Sequence, residues 1–151
     1  MRIGTGWDLH RLEENRSLYI GGVKIPHNKG ALAHSDGDVL LHALIDALLG
    51  ATANGDIGTL FPPNDAQWKD AASLDLLQIA LTKIEDYRVE NVDCTVIIDA
   101  PKLAPFIKSI RSTLATALGV ALERISVKAK TSEGTLENVV IAQVVVLLAR
   151  R

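Results

Sequence analysis

One cysteine in 151 residues, Cys94, leaves no partner for an internal disulfide and no spacing for a zinc finger. A reducing cytoplasm is therefore the default compartment. Aromatic side chains are few, two each of Trp, Tyr and Phe, too sparse for a platform that stacks nucleobases. Basic charge is not in excess: 16 Lys and Arg stand against 18 Asp and Glu, for a formal net charge of −2. That balance argues against a nucleic-acid partner. Long apolar runs are also missing. The longest, Val139 to Ala149, contains Gln143 and is too short to span a bilayer. Met1-Arg2-Ile3-Gly4 opens the chain with neither the apolar region nor the cleavage site of a secretory signal, and nothing there reads as a transit peptide. Repeats, low-complexity tracts and Ser/Pro/Gly linkers are absent too. These absences predict one soluble domain over residues 1–151, without a membrane partner and located in a bacterial cytoplasm.

What is present is a globular composition, 48% apolar and 23% charged, in a chain long enough to bury a core. Leu18-Tyr19-Ile20 and Val23-Lys24-Ile25 flank Gly21-Gly22, both free to take positive φ, which predicts a hairpin. Val39 to Leu49 reads as a helix closed by Gly50, and Ser73 to Ile84 as a second with Ser73 at its N-cap. Pro105 to Leu118, with Gly119 just past its end, reads as a third. Val92–Ile98, Ile125–Ala129 and Val139–Leu148 read as strands. The last is apolar at nearly every position, so both of its faces should be covered. Mixed helices and strands with a hairpin make the class α+β or α/β.

The most informative segment is His34-Ser35-Asp36-Gly37-Asp38 followed by VLLHALIDALLG, in which Ser35 and Asp38 are spaced like a capping box. After Asp38 the helix is apolar except at His42 and Asp46, and positions four apart share one face. A solvated face is usually built from Lys, Glu and Gln. This stripe holds only Asp and His, so it reads as the lining of a site. Asp8-Leu9-His10 is the second element. In an extended segment residues two apart point the same way, so Asp8 and His10 can share one ion. With His42 they make two imidazoles and a carboxylate, the ligand set of a catalytic zinc whose fourth position is left open. Asp46, one turn beyond His42, is expected to orient that ring.

Gly4-Thr5-Gly6 lacks the third glycine of a dinucleotide fingerprint, and no phosphate-loop GK[ST] occurs. Gly55 to Asp65 is a loop rich in turn formers whose Asp56 is able to accept hydrogen bonds from hydroxyls. Lys128-Ala129-Lys130-Thr131-Ser132-Glu133-Gly134 groups cations, hydroxyls and a carboxylate, which suits phosphate with a divalent metal and equally suits a plain polar turn. Cys94, in an apolar β-rich run, reads as a buried small hydrophobe.

Together these segments resemble the 2-C-methyl-D-erythritol 2,4-cyclodiphosphate synthase family of the non-mevalonate isoprenoid pathway. The resemblance rests on Arg2-Ile3-Gly4-x-Gly6-x-Asp8-x-His10-Arg11, His34-Ser35-Asp36-Gly37-Asp38, His42-Ala43, Asp46 to Ala51, Gly55-Asp56-Ile57-Gly58, Phe61-Pro62, Pro101-Lys102-Leu103 and Lys128-Ala129 with Thr131 and Glu133. It implies an α+β domain, a mixed sheet with helices packed on one face, assembling as a homotrimer with active sites at subunit interfaces. It also implies a phosphorus–oxygen lyase. The 2-phosphate of 4-diphosphocytidyl-2-C-methyl-D-erythritol 2-phosphate attacks the β-phosphorus, giving the cyclic diphosphate and CMP.

Carried over by position, Asp8, His10 and His42 bind Zn2+, and Glu133 binds Mg2+ or Mn2+. His34 and Thr131 stabilise the transition state. Asp8-Leu9-His10, His34-Ser35, Asp56-Ile57-Gly58 and Phe61-Pro62-Pro63-Asn64-Asp65 contact the substrate. Ile98-Asp99-Ala100-Pro101-Lys102-Leu103-Ala104 and Lys130-Thr131 match the cytidine pocket, and Ser132 and Glu133 are further substrate contacts. The chemistry fits the residue types, because two anionic phosphates must be brought together and cations with hydrogen-bond donors relieve their repulsion.

The chain departs from the family at Lys130, where a hydroxyl residue is usual, at Leu60 and Pro63 around Phe61-Pro62, and after Gly134. There a glycine-phenylalanine and a Gly-Arg-x-Glu-Gly run are replaced by the shorter Thr135-Leu136-Glu137-Asn138. Two other readings remain open from sequence. One is a trimeric cytidine-nucleotide-binding protein without turnover. The other is a zinc-dependent phosphate-ester hydrolase, whose products would contain solvent oxygen.

Overall fold

A computed structural model describes residues 1–151. Seven strands are formed: β1 (Arg2–Glu14), β2 (Leu18–Ile20), β3 (Val23–Ile25), β4 (Lys29–Ala31), β5 (Tyr87–Ile98), β6 (Ile125–Lys130) and β7 (Val139–Arg150). Four α-helices accompany them: α1 (Val39–Ala51), α2 (Ile57–Leu60), α3 (Ser73–Thr82) and α4 (Ile107–Leu118). Five strands make one mixed sheet in the order β4-β1-β7-β5-β6, and β2-β3 form a separate hairpin. Only β5 and β6 run parallel; the other neighbours are antiparallel. The class is α+β, with α1 laid on β1 and β7, α3 on α1, and α4 on β6.

Why α1 lies so close to β1 follows from Gly4 and Gly6. On β1 the residues facing α1 alternate with those facing away, and a Cβ at Gly6 would stand 1.8 Å from the Ala43 carbonyl oxygen. At Gly4 it would stand 2.0 Å from the Ala47 oxygen. Bare backbone there lets the helix sink onto the strand, and the next two residues on the same face are Asp8 and His10. The helix itself is almost wholly buried, from Val39 through Leu49 and at Ala51, with only Asp46 and Gly50 less covered.

Both ends of α1 differ from expectation. Its N-cap is Asp38, which accepts from Leu41 N at 3.0 Å, and the capping-box role foreseen for Ser35 is not filled. The same carboxylate accepts from Gly21 N at 2.9 Å and Gly22 N at 2.7 Å, so it staples the β2-β3 turn to the helix. At the other end the helix runs through Gly50. Ala53, at φ 60, takes the left-handed position, with Ala53 N bonded to Gly50 O and Asn54 N to Leu49 O. That pair of bonds closes a Schellman motif three residues later than foreseen. Similarly, α3 is capped by Ala72, and Ser73 is its first residue with its side chain spent elsewhere. The β2-β3 hairpin and the Gly119 stop of α4, at φ 65, are as foreseen.

Within one chain β7 is covered along its whole length on one face only. Val140, Ala142, Val144, Val146 and Leu148 are buried beneath α1, whereas on the other, open face only Ile141 is buried, Val145 and Leu147 stay half-buried and Gln143 is exposed. On that open side β1 presents Ile3 at 72%, Trp7 at 56% and Leu9 at 43% exposure. Cys94 lies inside the core, where burial pushes its thiol up to about 12. It is a core hydrophobe and no nucleophile.

Candidate metal centre

Asp8 and His10 leave β1 toward α1, and His42 meets them from the helix's second turn. Oδ2 of Asp8 lies 2.8 Å from Nε2 of His10 and 3.0 Å from Nδ1 of His42, and the two ring nitrogens are 3.1 Å apart. These three residues form the chain's one cluster of metal-ligating side chains. A tetrahedral zinc with bonds near 2.0 Å spaces its ligand atoms about 3.3 Å apart. The three donors therefore already stand close to three corners of such a tetrahedron.

Electrostatics here is set by mutual proximity. Burial raises the Asp8 carboxyl, but hydrogen bonds from both imidazoles and their charge outweigh it and hold the group at about 2. Burial alone would depress the His42 imidazolium. The hydrogen bond and charge of Asp8, with the charges of Asp38 and Asp36, leave it raised. A carboxylate kept ionised beside two imidazoles is an arrangement that favours a cation at their centre.

His42 is oriented from behind by residues that the sequence reading did not assign. Its Nε2 lies 3.0 Å from Ser73 Oγ and 3.0 Å from Ser35 Oγ. Ser73 Oγ donates to Asp36, and Ser73 N also bonds that carboxylate at 2.8 Å. A hydroxyl whose proton is committed to Asp36 accepts from Nε2–H, so the ring's exchangeable proton is the one on Nδ1, and its loss to a metal would turn the Nδ1 lone pair toward Asp8 and His10. Asp46 does not do this work. It accepts from Ile57 N at 2.7 Å and so ties α1 to α2. Burial, partly offset by that bond, raises its carboxyl.

Beside the cluster opens a cavity of about 290 Å3. His10 and His42 line it together with His34, Ser35, Ile57, Gly58, Phe61 and Pro63, all foreseen from sequence. Leu32, Ala33, Trp68 and Leu76 complete the wall and were not foreseen. Trp68 stands edge-on to Phe61, ring centres 5.0 Å apart, and its buried Nε1 has no partner. Asp56 caps α2, with Oδ1 accepting from Thr59 N and Oγ1, both at 2.7 Å. Those bonds, from the hydroxyl first, lower its carboxyl. Asp65 caps a short turn by accepting from Gln67 N at 3.1 Å, and neither Pro62 nor Asn64 reaches the cavity wall. Leu9 points to the opposite face of the sheet from Asp8 and His10, because side chains alternate along β1.

The remaining foreseen residues lie elsewhere in the chain. The cross-sheet register runs Asp8↔Ala142, Ala142↔Val96 and Val96↔Ala129. Lys130 ends β6 and Thr131, Ser132 and Glu133 follow it, three strand spacings or about 14 Å from Asp8. Of the 98–104 segment, Ile98 and Leu103 turn into the core. Asp99 and Ala100 border a second cavity of about 480 Å3, while Lys102 and Ala104 are exposed and Pro101 half-buried. One chain thus carries two separated groups of candidate residues.

The chain is thus an α+β protein whose five-stranded mixed sheet and first helix bring together an Asp–His–His cluster able to hold a metal ion. A profile of the YgbB family matches residues 1–149, and the chain belongs to that family. A 2-C-methyl-D-erythritol 2,4-cyclodiphosphate synthase of Treponema denticola is 52% identical over 136 residues, covering 89% of this chain and 84% of that one. One of Koribacter versatilis is 49% identical over 154 residues, covering 100% and 99%. A solved synthase structure described as its CDP-bound form superposes with a TM-score of 0.92 at 44% identity, covering 98% of this chain and 100% of that one. No helix of the chain is long and apolar enough to cross a membrane.

Proposed function

We propose that this chain converts 4-diphosphocytidyl-2-C-methyl-D-erythritol 2-phosphate into 2-C-methyl-D-erythritol 2,4-cyclodiphosphate and CMP, a step of isoprenoid biosynthesis. The observation that carries the reading is the convergence of Asp8, His10 and His42 on one point beside the cavity lined by His34, Gly58 and Phe61. A 2-phosphate oxygen forms a bond to the β-phosphorus while the bond from that phosphorus to the CMP oxygen breaks, and CMP carries away the electron pair. That makes the enzyme a phosphorus–oxygen lyase. The attacking oxygen is already ionised at neutral pH, so no side-chain nucleophile is required.

Zinc held by Asp8, His10 and His42, with magnesium or manganese held by Glu133, supplies positive charge against the phosphate oxygens. His34, at the cavity mouth, and Thr131 donate hydrogen bonds to the phosphoryl oxygens as charge develops. Asp56 and Gly58 hold the methylerythritol, with Phe61 and Pro63 in the cavity wall beside them. The 98–104 segment, with Lys130, holds the cytidine. Ser35 and Ile57, which line the cavity, complete the contacts.

The working form is a homotrimer of one 1–151 domain per subunit in a bacterial cytoplasm, each site shared between two subunits. Two observations support the assembly. Ile3, Trp7 and Leu9 leave an apolar stripe open on the sheet. Asp8 and Glu133 sit at opposite sides of that same sheet, so a neighbouring copy is the simplest way to bring the two groups together.

A phosphorus NMR time course tests the proposal. Given substrate, zinc and magnesium, the protein should yield CMP and a cyclic diphosphate, and a chelator should stop it. Linear products that take up 18O from water would replace this reading with hydrolysis. Tight CDP binding without turnover would replace it with a nucleotide-binding role.

A further inference from the structure

Asp99 and Ser132 were both foreseen as contacts to substrate, yet in the structure they are spent on each other. Asp99 Oδ1 accepts from Ser132 N at 2.7 Å and Oδ2 from Ser132 Oγ at 2.8 Å. Ser132 Oγ in turn accepts from Leu136 N at 2.9 Å. The pairing follows from register. β5 and β6 run parallel with Ile97 beside Lys130, and two residues further along each chain path stand Asp99 and Ser132.

What the clamp holds is a strained turn. Thr135 N bonds Ser132 O at 3.2 Å, and the two residues between them, Glu133 at φ 56 and Gly134 at φ 74, are both left-handed. This is the pattern of a type I′ turn. Glycine adopts it freely, but glutamate does so only where its surroundings insist. Glu133 is exposed and its only side-chain bond is a long one, 3.3 Å from Thr131 Oγ1 to Oε1. Its own contacts therefore do little to fix its conformation. Asp99 supplies the charge-assisted bonds on the turn, beside the Thr135 Oγ1 bond to Ser132 O at 2.5 Å, and it belongs to the 98–104 segment.

We propose that Asp99 is a positioning residue, its carboxylate clamping Ser132 so that the left-handed turn presents Glu133 to a divalent cation and is locked to the 98–104 segment. The inference rests on the Glu133 role proposed above. The Asp99 carboxylate is engaged by Ser132 and acts through that residue's turn, while its neighbours in the 98–104 segment hold the cytidine. It sets the geometry of Glu133 and makes the ion half and the cytidine half of the site a single mechanical unit.

The test is manganese titration of the zinc-loaded full-length protein by electron paramagnetic resonance, with CDP affinity and zinc content measured in parallel. Wild type should hold manganese that Glu133→Gln loses. Asp99→Ala should weaken that manganese and CDP together by about tenfold or more, with one zinc per chain retained. Ser132→Ala keeps the amide bond and should lose less. Asp99→Asn, able to bond Ser132 through its amide, should recover most of the manganese affinity. If Asp99→Asn is as poor as Asp99→Ala while zinc is retained, the carboxylate acts on the ion directly and the clamp is wrong. Unchanged manganese in Asp99→Ala overturns it as well, and so does equal loss of zinc and manganese with a lowered melting temperature. Wild type without Glu133-dependent manganese would instead overturn the Glu133 assignment, and the clamp with it.

Discussion

Ser73 accepts a hydrogen bond from the outer nitrogen of His42 across 3.0 Å while its own hydroxyl proton goes to Asp36. A serine at the first position of α3 therefore decides which nitrogen of a histidine on α1 faces the candidate metal. Ser73→Ala should lower zinc affinity by about tenfold or more, the usual consequence of removing a ligand's outer partner. Competition against a fluorescent zinc chelator reads this directly. Unchanged affinity would mean that Ser35, at the same distance from Nε2, orients the ring alone.

The proton and the metal compete for the same cluster, with opposite signs. Asp8 is held at about 2 against an ordinary 3.8, so its stabilising share is present above pH 4 and fades as the pH falls toward 2. His42 is raised above its ordinary 6.5, so its share is full below that pH and is lost as the pH rises through the folded value. Zinc requires the unprotonated ring. In melting curves from pH 5 to 8, metal-free protein should lose stability toward the alkaline end, while the increment added by zinc should grow.

Gly6 is the point where helix and strand nearly touch. Gly6→Ala puts a methyl 1.8 Å from the Ala43 carbonyl and must lift α1 off β1. We expect a loss of about 3 kcal/mol, as for other overpacked cores, measured by urea denaturation. Zinc binding should suffer as well, because His42 moves with the helix while Asp8 and His10 stay with the strand.

Trp7 reports on assembly. At 56% exposure in the single chain, its indole should become buried if the sheets' open faces meet. Trp7→Lys should shift the protein toward monomer in sedimentation velocity and abolish turnover while leaving zinc bound. A trimer that tolerates lysine there would place the interface elsewhere.

Patterns carried by neighbouring residues were readable from sequence, whereas those completed through space were not. The Gly21-Gly22 turn and the Asp8/His10 spacing are local, and each stands in the structure as the chemistry of those residues implies, whereas of the polar stripe on α1 only His42 faces the site. The stop of α1 was misplaced because Gly50 carries the usual signal while tertiary packing holds Ala53 in the left-handed position instead. Ser73 is the more instructive case. As a serine at a helix start it reads as a cap, and only the fold reveals Asp36 and His42 on either side of it. Asp46 failed in reverse, since one turn of spacing put it near His42 while the Ile57 amide claimed its carboxylate. Trp68 carried no periodic or motif signal at all, so its place in the cavity wall could come only from the packed chain.

Because three strand spacings separate Asp8 on β1 from β6, which the Glu133 turn follows, damage to the two groups is not equivalent to damage within one. A chain lacking His42 still owns an intact Glu133 turn, and a chain lacking Glu133 still owns an intact Asp–His–His cluster. On the proposal that each site is shared between subunits, two such inactive chains co-folded should regain part of the activity, since some subunit boundaries would pair a sound half from each. That is complementation between alleles, a genetic behaviour written into the strand order of a single sheet.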